Sequence, residues 1–304
     1  MSLVRLRLPA TSANLGPGFD AVALALRLFL HIEAEPSQKL TIEATGRNPE
    51  ICGAIESNLL LRVYRETLAA HGRPFTPLSL HVRNEIPIGM GCGSSAAVRL
   101  AGVALASHFG GLHWTRERIL AEAARLEGHP DNVAACWLGG FVASATDGDR
   151  VQAVALAPPS AWRAVLVLPR HPLATTASRE VVPDQWPRSD VVANLQSTAL
   201  LSAAFAAGRA DLLATALRDR LHQPYRAGVC PLLPRLLPLS GCGPVAGVAL
   251  SGAGPAVLLL AVSASAAAEA RALAASTLQG EEEVEFIECA LESQPAMLEA
   301  NTVP

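Results

Sequence analysis

Apolar and charged residues alternate from Val4 to Leu8 and again between Asp20 and Glu35, which predicts two strands paired with one another; Leu40 to Ala44 reads as a third. From Asn58 to His71 the period lengthens. Leu59, Leu60, Val63, Tyr64 and Leu68 recur at helical spacing, and Gly72 with Pro74 stops the run. Leu78 to Val82 returns to strand, a helix follows from about Ser94 to Phe109, Gly110-Gly111 end it, and another helix covers Thr115 to Leu126. Two strands come after Gly139-Gly140. The segment Ala157-Pro158-Pro159-Ser160 then breaks the pattern, so the expected domains are residues 1–158 and 159–304. Beyond it, Trp162 to Leu168 is strand-like, Val191 to Ala207 and Asp211 to Leu221 read as helices, and the proline-rich stretch Pro231 to Pro244 reads as a connector. Strands at Val245 to Leu250 and Val257 to Val262, a helix from Ser263 to Thr277 and a strand from Val284 to Cys289 predict a β-β-α-β ending. The class is mixed α/β.

Composition narrows the function. The 304 residues are half apolar, with a formal net charge of only −3, which argues against a polyanion-binding surface and so against a nucleic-acid partner. The opening Met1 to Leu8 reads as a strand and lacks the apolar core of a signal peptide, and the apolar stretch around Val257 to Ala268 is too short and too serine-containing to span a bilayer. The expectation is a soluble cytoplasmic protein with no membrane partner. Six scattered cysteines form no Cys-x-x-Cys pair, which argues against zinc and iron–sulfur sites.

The chemistry is concentrated in Pro87-Ile88-Gly89-Met90-Gly91-Cys92-Gly93-Ser94-Ser95-Ala96-Ala97. Alternate glycines let successive amides converge on one anion, and the helix that follows adds its unsatisfied N-terminal amides. The blander reading is a flexible turn capped by serine. The hydroxyls of Ser94 and Ser95 can cap the helix, contact a phosphate or reach a metal ion. Cys92 is either an exposed, reactive thiol or a small apolar contact. The Walker loop is excluded because its lysine is missing and Lys39 is the only lysine in the chain; the dinucleotide fingerprint is excluded because its third glycine is Ser94. The protein-kinase motifs are absent too.

This loop resembles the second of three motifs of the GHMP small-molecule kinases. The other two are present in order: Pro9-Ala10-Thr11-Ser12-Ala13-Asn14-Leu15-Gly16-Pro17-Gly18-Phe19-Asp20 and Leu250-Ser251-Gly252-Ala253-Gly254-Pro255. The first is similar to the wording of the homoserine kinase branch, as are Glu127-Gly128-His129-Pro130-Asp131-Asn132-Val133, Thr175-Thr176-Ala177-Ser178-Arg179 and Gln223-Pro224-Tyr225-Arg226. The resemblance implies a two-domain fold, with a left-handed β-α-β crossover around the phosphate loop and a ferredoxin-like C-terminal domain. It implies Mg-ATP on residues 87–97, with Ser95 and Glu127 as magnesium ligands, and L-homoserine as the small-molecule acceptor. A homodimer is carried as an open expectation.

A zwitterionic substrate needs donors for its carboxylate and acceptors for its ammonium. Arg179 and Arg226 suit the first, Asp20 and Asn14 the second, with Thr175 and Gly252 completing the pocket by resemblance. Asn132 and His129 are placed by the resemblance near the reacting hydroxyl; Asn132, Glu127 and Ser95 form the expected catalytic set. No general base is evident, since a loose phosphoryl-transfer transition state needs little prior proton removal. Each polar residue has an ordinary alternative as a surface arginine, a turn residue or a cap. Two other functions stay open: a kinase of the same fold acting on a mevalonate-like or diphosphocytidyl alcohol, and a non-catalytic regulatory module. Ala177 and Gln223 replace more usual acidic residues, and Met90 and Cys92 change side chains within the loop while leaving its backbone pattern intact.

Overall fold

The computed structural model describes residues 2–279 and 283–302. The N-terminal alternation becomes β1 (Ser2–Ala13) and β2 (Val22–Pro36), antiparallel with Val4 opposite Ala34 and Ala13 opposite Ala23. Val4, Leu6 and Leu8 point into the core while Arg5 and Arg7 stay partly exposed, as a strand with one solvated face requires. β3 (Thr41–Gly46) runs parallel to β4 (Leu78–Asn84), and the crossover between them carries α1 (Pro49–Cys52) and α2 (Leu59–Ala70). Asn58 starts α2 by accepting from the Leu61 amide at 3.3 Å.

The next connection carries α3 (Ser94–Phe109), α4 (Arg116–Glu127) and α5 (Asp131–Leu138) into the hairpin of β5 (Phe141–Asp147) and β6 (Arg150–Leu156). β2 shares its far edge between two partners: Val22–Leu24 pair with β5, and Leu30–Pro36 with β4. The glycine loop leaves the end of β4 beside the point where β2 changes partner.

The second half contains β7 (Arg163–Pro169), α6 (Thr175–Glu180), α7 (Arg188–Ala207), α8 (Leu213–Ala216), α9 (Gln223–Arg226) and α10 (Leu232–Leu236). β8 (Gly247–Leu250), β9 (Val257–Ala261), α11 (Ala264–Thr277) and β10 (Val284–Ala290) follow. Its antiparallel sheet has the order β10-β7-β9-β8, the ferredoxin-like arrangement. Because successive side chains of a strand face opposite ways, β7 serves two cores. Ala164, Leu166 and Leu168 join the cluster shared with the first sheet; Val165 and Val167 pack with Ala267, Ala270 and Ala274 of α11.

Two expected elements differ. The helix predicted over Asp211 to Leu221 is a 3₁₀ turn (Ala210–Leu212) followed only by α8. Asp219 intervenes: its carboxylate accepts from the amides of Leu221, His222 and Gln223 at 2.8, 3.0 and 2.6 Å, ending one helical course and opening α9. The connector from Pro231 to Pro244 holds α10, whose Leu232, Leu233 and Leu236 are buried. The chain also returns to its start. β11 (Met297–Thr302) pairs with β1 in the seven-stranded first sheet. We propose the division near residue 158 with this amendment, that residues 297–302 belong with the N-terminal domain. Among the described residues, no helix is long and apolar enough to cross a membrane.

Candidate active site

A cleft of about 300 Å³ runs along the glycine loop and is lined from both halves of the chain. Gly93 precedes α3 with φ +71° and supplies no side-chain acceptor, so the first-turn amides of Ser94 and Ser95 have no side-chain cap. Such a helix start attracts anions through its free amides and its dipole. Gly91, at φ +77°, passes so close to the third motif that an added Cβ would sit 2.1 Å from the Ser251 carbonyl oxygen. Ser251 Oγ donates to the Gly91 carbonyl at 2.8 Å, and the Thr11 amide donates to that of Cys92 at 3.0 Å. The three motifs thus meet at one turn.

Not every expected loop residue faces the cleft. Ile88, Gly89, Gly91, Cys92, Gly93, Ser94 and Ser95 line it, whereas Pro87, Met90, Ala96 and Ala97 do not. The helical period turns Ala96 and Ala97 into the core, where both are fully buried. Met90 packs against the same core, and its carbonyl accepts from the Ala256 amide at 3.2 Å. Cys92 is 1% exposed, and burial pushes its thiol up to about 12, so it is the apolar contact rather than a reactive group. All six cysteines are free thiols.

Ser95 Oγ lies 3.2 Å from Glu127 Oε2, bringing together the two expected metal ligands from the start of α3 and the end of α4. One hydroxyl and one carboxylate beside uncapped helix amides are donors of the kind magnesium takes alongside phosphate oxygens and water. Arg99 shares this corner. Its Nη1 is 2.6 Å from Glu127 Oε2 and contacts Ser95 Oγ. A second cluster, Asp20, His129 and Asp131, has ligand atoms within 4.8 Å of one another. It suits magnesium less well, because one of its three donors is an imidazole and magnesium prefers oxygen ligands.

At the other end of the cleft, Arg179 grips Asp20 through both guanidinium nitrogens, at 2.7 and 3.1 Å, and its pKa is raised chiefly by that hydrogen bond. Arg226 is 1% exposed, a guanidinium taken almost entirely out of water. Its Nε donates to the Ser178 carbonyl at 3.1 Å, and its Nη1 approaches His222 Nδ1 at 3.1 Å and the Gly252 carbonyl at 3.3 Å. Burial lowers the His222 pKa. A neutral imidazole meets this geometry when Nε2–H donates to the Gly16 carbonyl, at 2.7 Å, and Nδ1 accepts from Arg226. The Phe19 ring stacks on His222 at 5.2 Å, with the guanidinium carbons of Arg226 and Arg179 5.3 and 5.7 Å from its centroid. Two cations stand around one aromatic face, with a carboxylate beside them.

Between the two ends, His129 Nδ1 is 2.6 Å from Asp131 Oδ1, and the Asn132 amide donates to the same oxygen at 2.6 Å. Burial pulls the His129 pKa down, but the hydrogen bond and charge of Asp131, helped by Asp20, outweigh it and raise the value. Thr11 Oγ1 donates to Asn132 Oδ1 at 2.6 Å, which turns the amide nitrogen away from Thr11. Asn14, left-handed at φ +67°, uses both ends of its side chain within the protein: Nδ2 donates to the Gly252 carbonyl at 2.8 Å, and Oδ1 accepts from the Asp20 amide at 3.0 Å. Asn14 therefore sets the position of Asp20. Thr175 and Gly252 line the cleft as expected.

Sequence reasoning did not single out Thr11, Phe19, Arg99 or His222. Thr11 and Phe19 lie inside the first motif and were readable there. His222 immediately precedes Gln223-Pro224-Tyr225-Arg226, but its role depends on Gly16, 206 positions away.

Comparison with known proteins adds an independent finding. Residues 58–140 match the family model described as the GHMP kinases N terminal domain. The chain is 45% identical over 261 residues to a homoserine kinase of Solibacter usitatus, covering 85% of each chain. It is 41% identical over 280 residues to one from Thermus thermophilus, covering 90% of this chain and 92% of that one. A homoserine kinase structure from Cytophaga hutchinsonii superposes with a TM-score of 0.80 at 24% identity, covering 97% of both chains, and shares the fold. A putative homoserine kinase from Listeria monocytogenes superposes with a TM-score of 0.78 at 28% identity, covering 97% of this chain and 98% of that chain.

Proposed function

The chain belongs to the homoserine kinases of the GHMP family, ATP-dependent enzymes that phosphorylate homoserine, and from that premise we propose how its cleft does so. The observation that carries the assignment is the separation of chemistries along one groove: free helix amides and a hydroxyl–carboxylate pair at one end, two guanidinium groups with an aspartate at the other. The first suits a polyphosphate and the second the head of an α-amino acid. A mevalonate-like acceptor has no ammonium for Asp20, and a non-catalytic module has no need of the Ser95–Glu127 pair.

In this reading the triphosphate rests on the amides of Gly91 to Ser95. Ser95 and Glu127 would hold magnesium, which when bound neutralises charge on the phosphate oxygens. Arg179 and Arg226 bind the homoserine carboxylate, and Asp20 accepts from the ammonium, so the zwitterion takes over part of the Asp20–Arg179 pairing. Asn132 and His129 orient the side-chain hydroxyl. That oxygen attacks the γ-phosphorus in line as the bond to the ADP oxygen breaks, and its proton passes to a phosphate oxygen. Asp131 is a poor candidate base because its Oδ1 already accepts from His129 and the Asn132 amide. Positioning and charge then supply the rate. Free thiols throughout support a reducing, cytoplasmic setting.

A coupled ADP-release assay with homoserine, with mevalonate and with no acceptor tests the proposal. Release dependent on homoserine alone is expected, and nucleotide binding without homoserine-dependent turnover would overturn it.

A further inference from the structure

Arg99 stands one helical turn beyond Ser95, on the same face of α3, and its guanidinium occupies the corner between Ser95 Oγ and Glu127 Oε2. Its side chain is 21% exposed and that of Glu127 11%. Glu127 is the last residue of α4, at the negative end of the helix dipole, where a carboxylate is unfavourable unless a cation accompanies it. The sheltered setting sharpens that need, because water screens the charge poorly there.

We infer that Arg99 is a resident counter-ion of the metal seat, which a divalent cation must displace. The inference rests on the assignment of Ser95 and Glu127 as the magnesium ligands. One carboxylate oxygen cannot hold a guanidinium at 2.6 Å and a divalent cation together without strong repulsion between the two. Guanidinium and divalent cation therefore compete for Oε2. Without nucleotide, Arg99 satisfies Glu127 and keeps divalent cations off it. The polyphosphate brings the negative charge that offsets release of the guanidinium, so metal enters with the nucleotide rather than before it. Arg99 is a positioning residue here: it holds the ligand pair in place and sets when the pair becomes available.

The test uses Mn²⁺ as the probe, its free concentration read by electron paramagnetic resonance, on nucleotide-free full-length protein. Arg99→Met, which keeps the length of the stem and drops the charge, is expected to tighten Mn²⁺ binding by about tenfold or more over wild type, and Glu127→Gln in that background to abolish the gain. The partly exposed position also admits Arg99→Gln, which carries the test if the methionine variant folds poorly by circular dichroism. Unchanged or weaker Mn²⁺ binding in the folded Arg99 variants would overturn the inference. The Mg²⁺ requirement of turnover in the Glu127→Gln single variant separates the two failures. If it rises while the Arg99 variants bind Mn²⁺ as wild type does, the metal assignment stands and the counter-ion role falls. If it does not change, the metal assignment itself has failed.

Discussion

Gly93→Ala probes the joint between the phosphate loop and the acceptor side of the cleft. The new methyl group would lie 1.9 Å from Thr11 Oγ1 and 3.1 Å from the Thr11 amide nitrogen, on a backbone held at φ +71°. A non-glycine residue in that left-handed region costs about 1–2 kcal/mol. Thr11 cannot swing aside freely, since a β-branched side chain in a buried strand has few rotamers. Its hydroxyl must move, breaking the 2.6 Å hydrogen bond to Asn132, a net loss of about 0.5–1.5 kcal/mol. The variant should therefore lose roughly 1.5–3.5 kcal/mol of stability. Its kcat/KM for ATP should fall about a hundredfold, the usual consequence of displacing a reacting group by an ångström.

A double-mutant cycle with Thr11→Ala isolates the cause. Thr11→Ala removes the hydrogen bond and the atom that Cβ strikes, so the pair should be less destabilised than the sum of the single variants by about 1 kcal/mol or more. Urea denaturation of the four proteins measures this directly. Strict additivity, or a Gly93→Ala enzyme with unchanged ATP kinetics, would refute the argument that the loop and Thr11 are packed as one unit.

Arg179→Ala should raise the homoserine KM about 10- to 100-fold, the range of one charge-assisted hydrogen bond, while leaving the ATP KM close to wild type; steady-state kinetics with each substrate varied check this. Asn132→Ala should slow turnover without abolishing it, and an Asp131→Asn enzyme that binds both substrates yet is dead would contradict a mechanism without a general base. His222→Ala should raise the homoserine KM by leaving buried Arg226 without the acceptor that orients it; an unchanged KM would remove His222 from the site. The raised His129 pKa adds stability that is complete below the unfolded value near 6.5 and is lost as pH rises through the higher folded value. The stability advantage of wild type over His129→Gln should thus shrink as pH rises above the unfolded value, about 6.5, in denaturant titrations.

The parts legible in the chain were those whose physics is local. Alternation in β1 and β2 follows from the two-residue period of a strand, the α2 boundary from Asn58 and Gly72, and the anion cradle from glycines placed before a helix start. Most site residues also sat in recognisable motifs. The periodic signal over Asp211 to Leu221 misled because Asp219 offers the backbone a competing partner, something a hydrophobic period does not register.

What the sequence determined by itself was a mixed α/β chain with a glycine turn before a helix start and the three motifs that place it among the GHMP kinases. Only the tertiary structure decided which loop residues reach the cleft, that residues 297–302 return to β1, that His222 bridges Gly16 and Arg226, and that Arg99 occupies the corner between Ser95 and Glu127. The physical reason is range. A backbone period records neighbours within about one turn or one pleat, whereas most of these arrangements need a group far along the chain as well, Glu127 for Arg99, Gly16 for His222 and β1 for residues 297–302, and their strength depends on the water that folding removes.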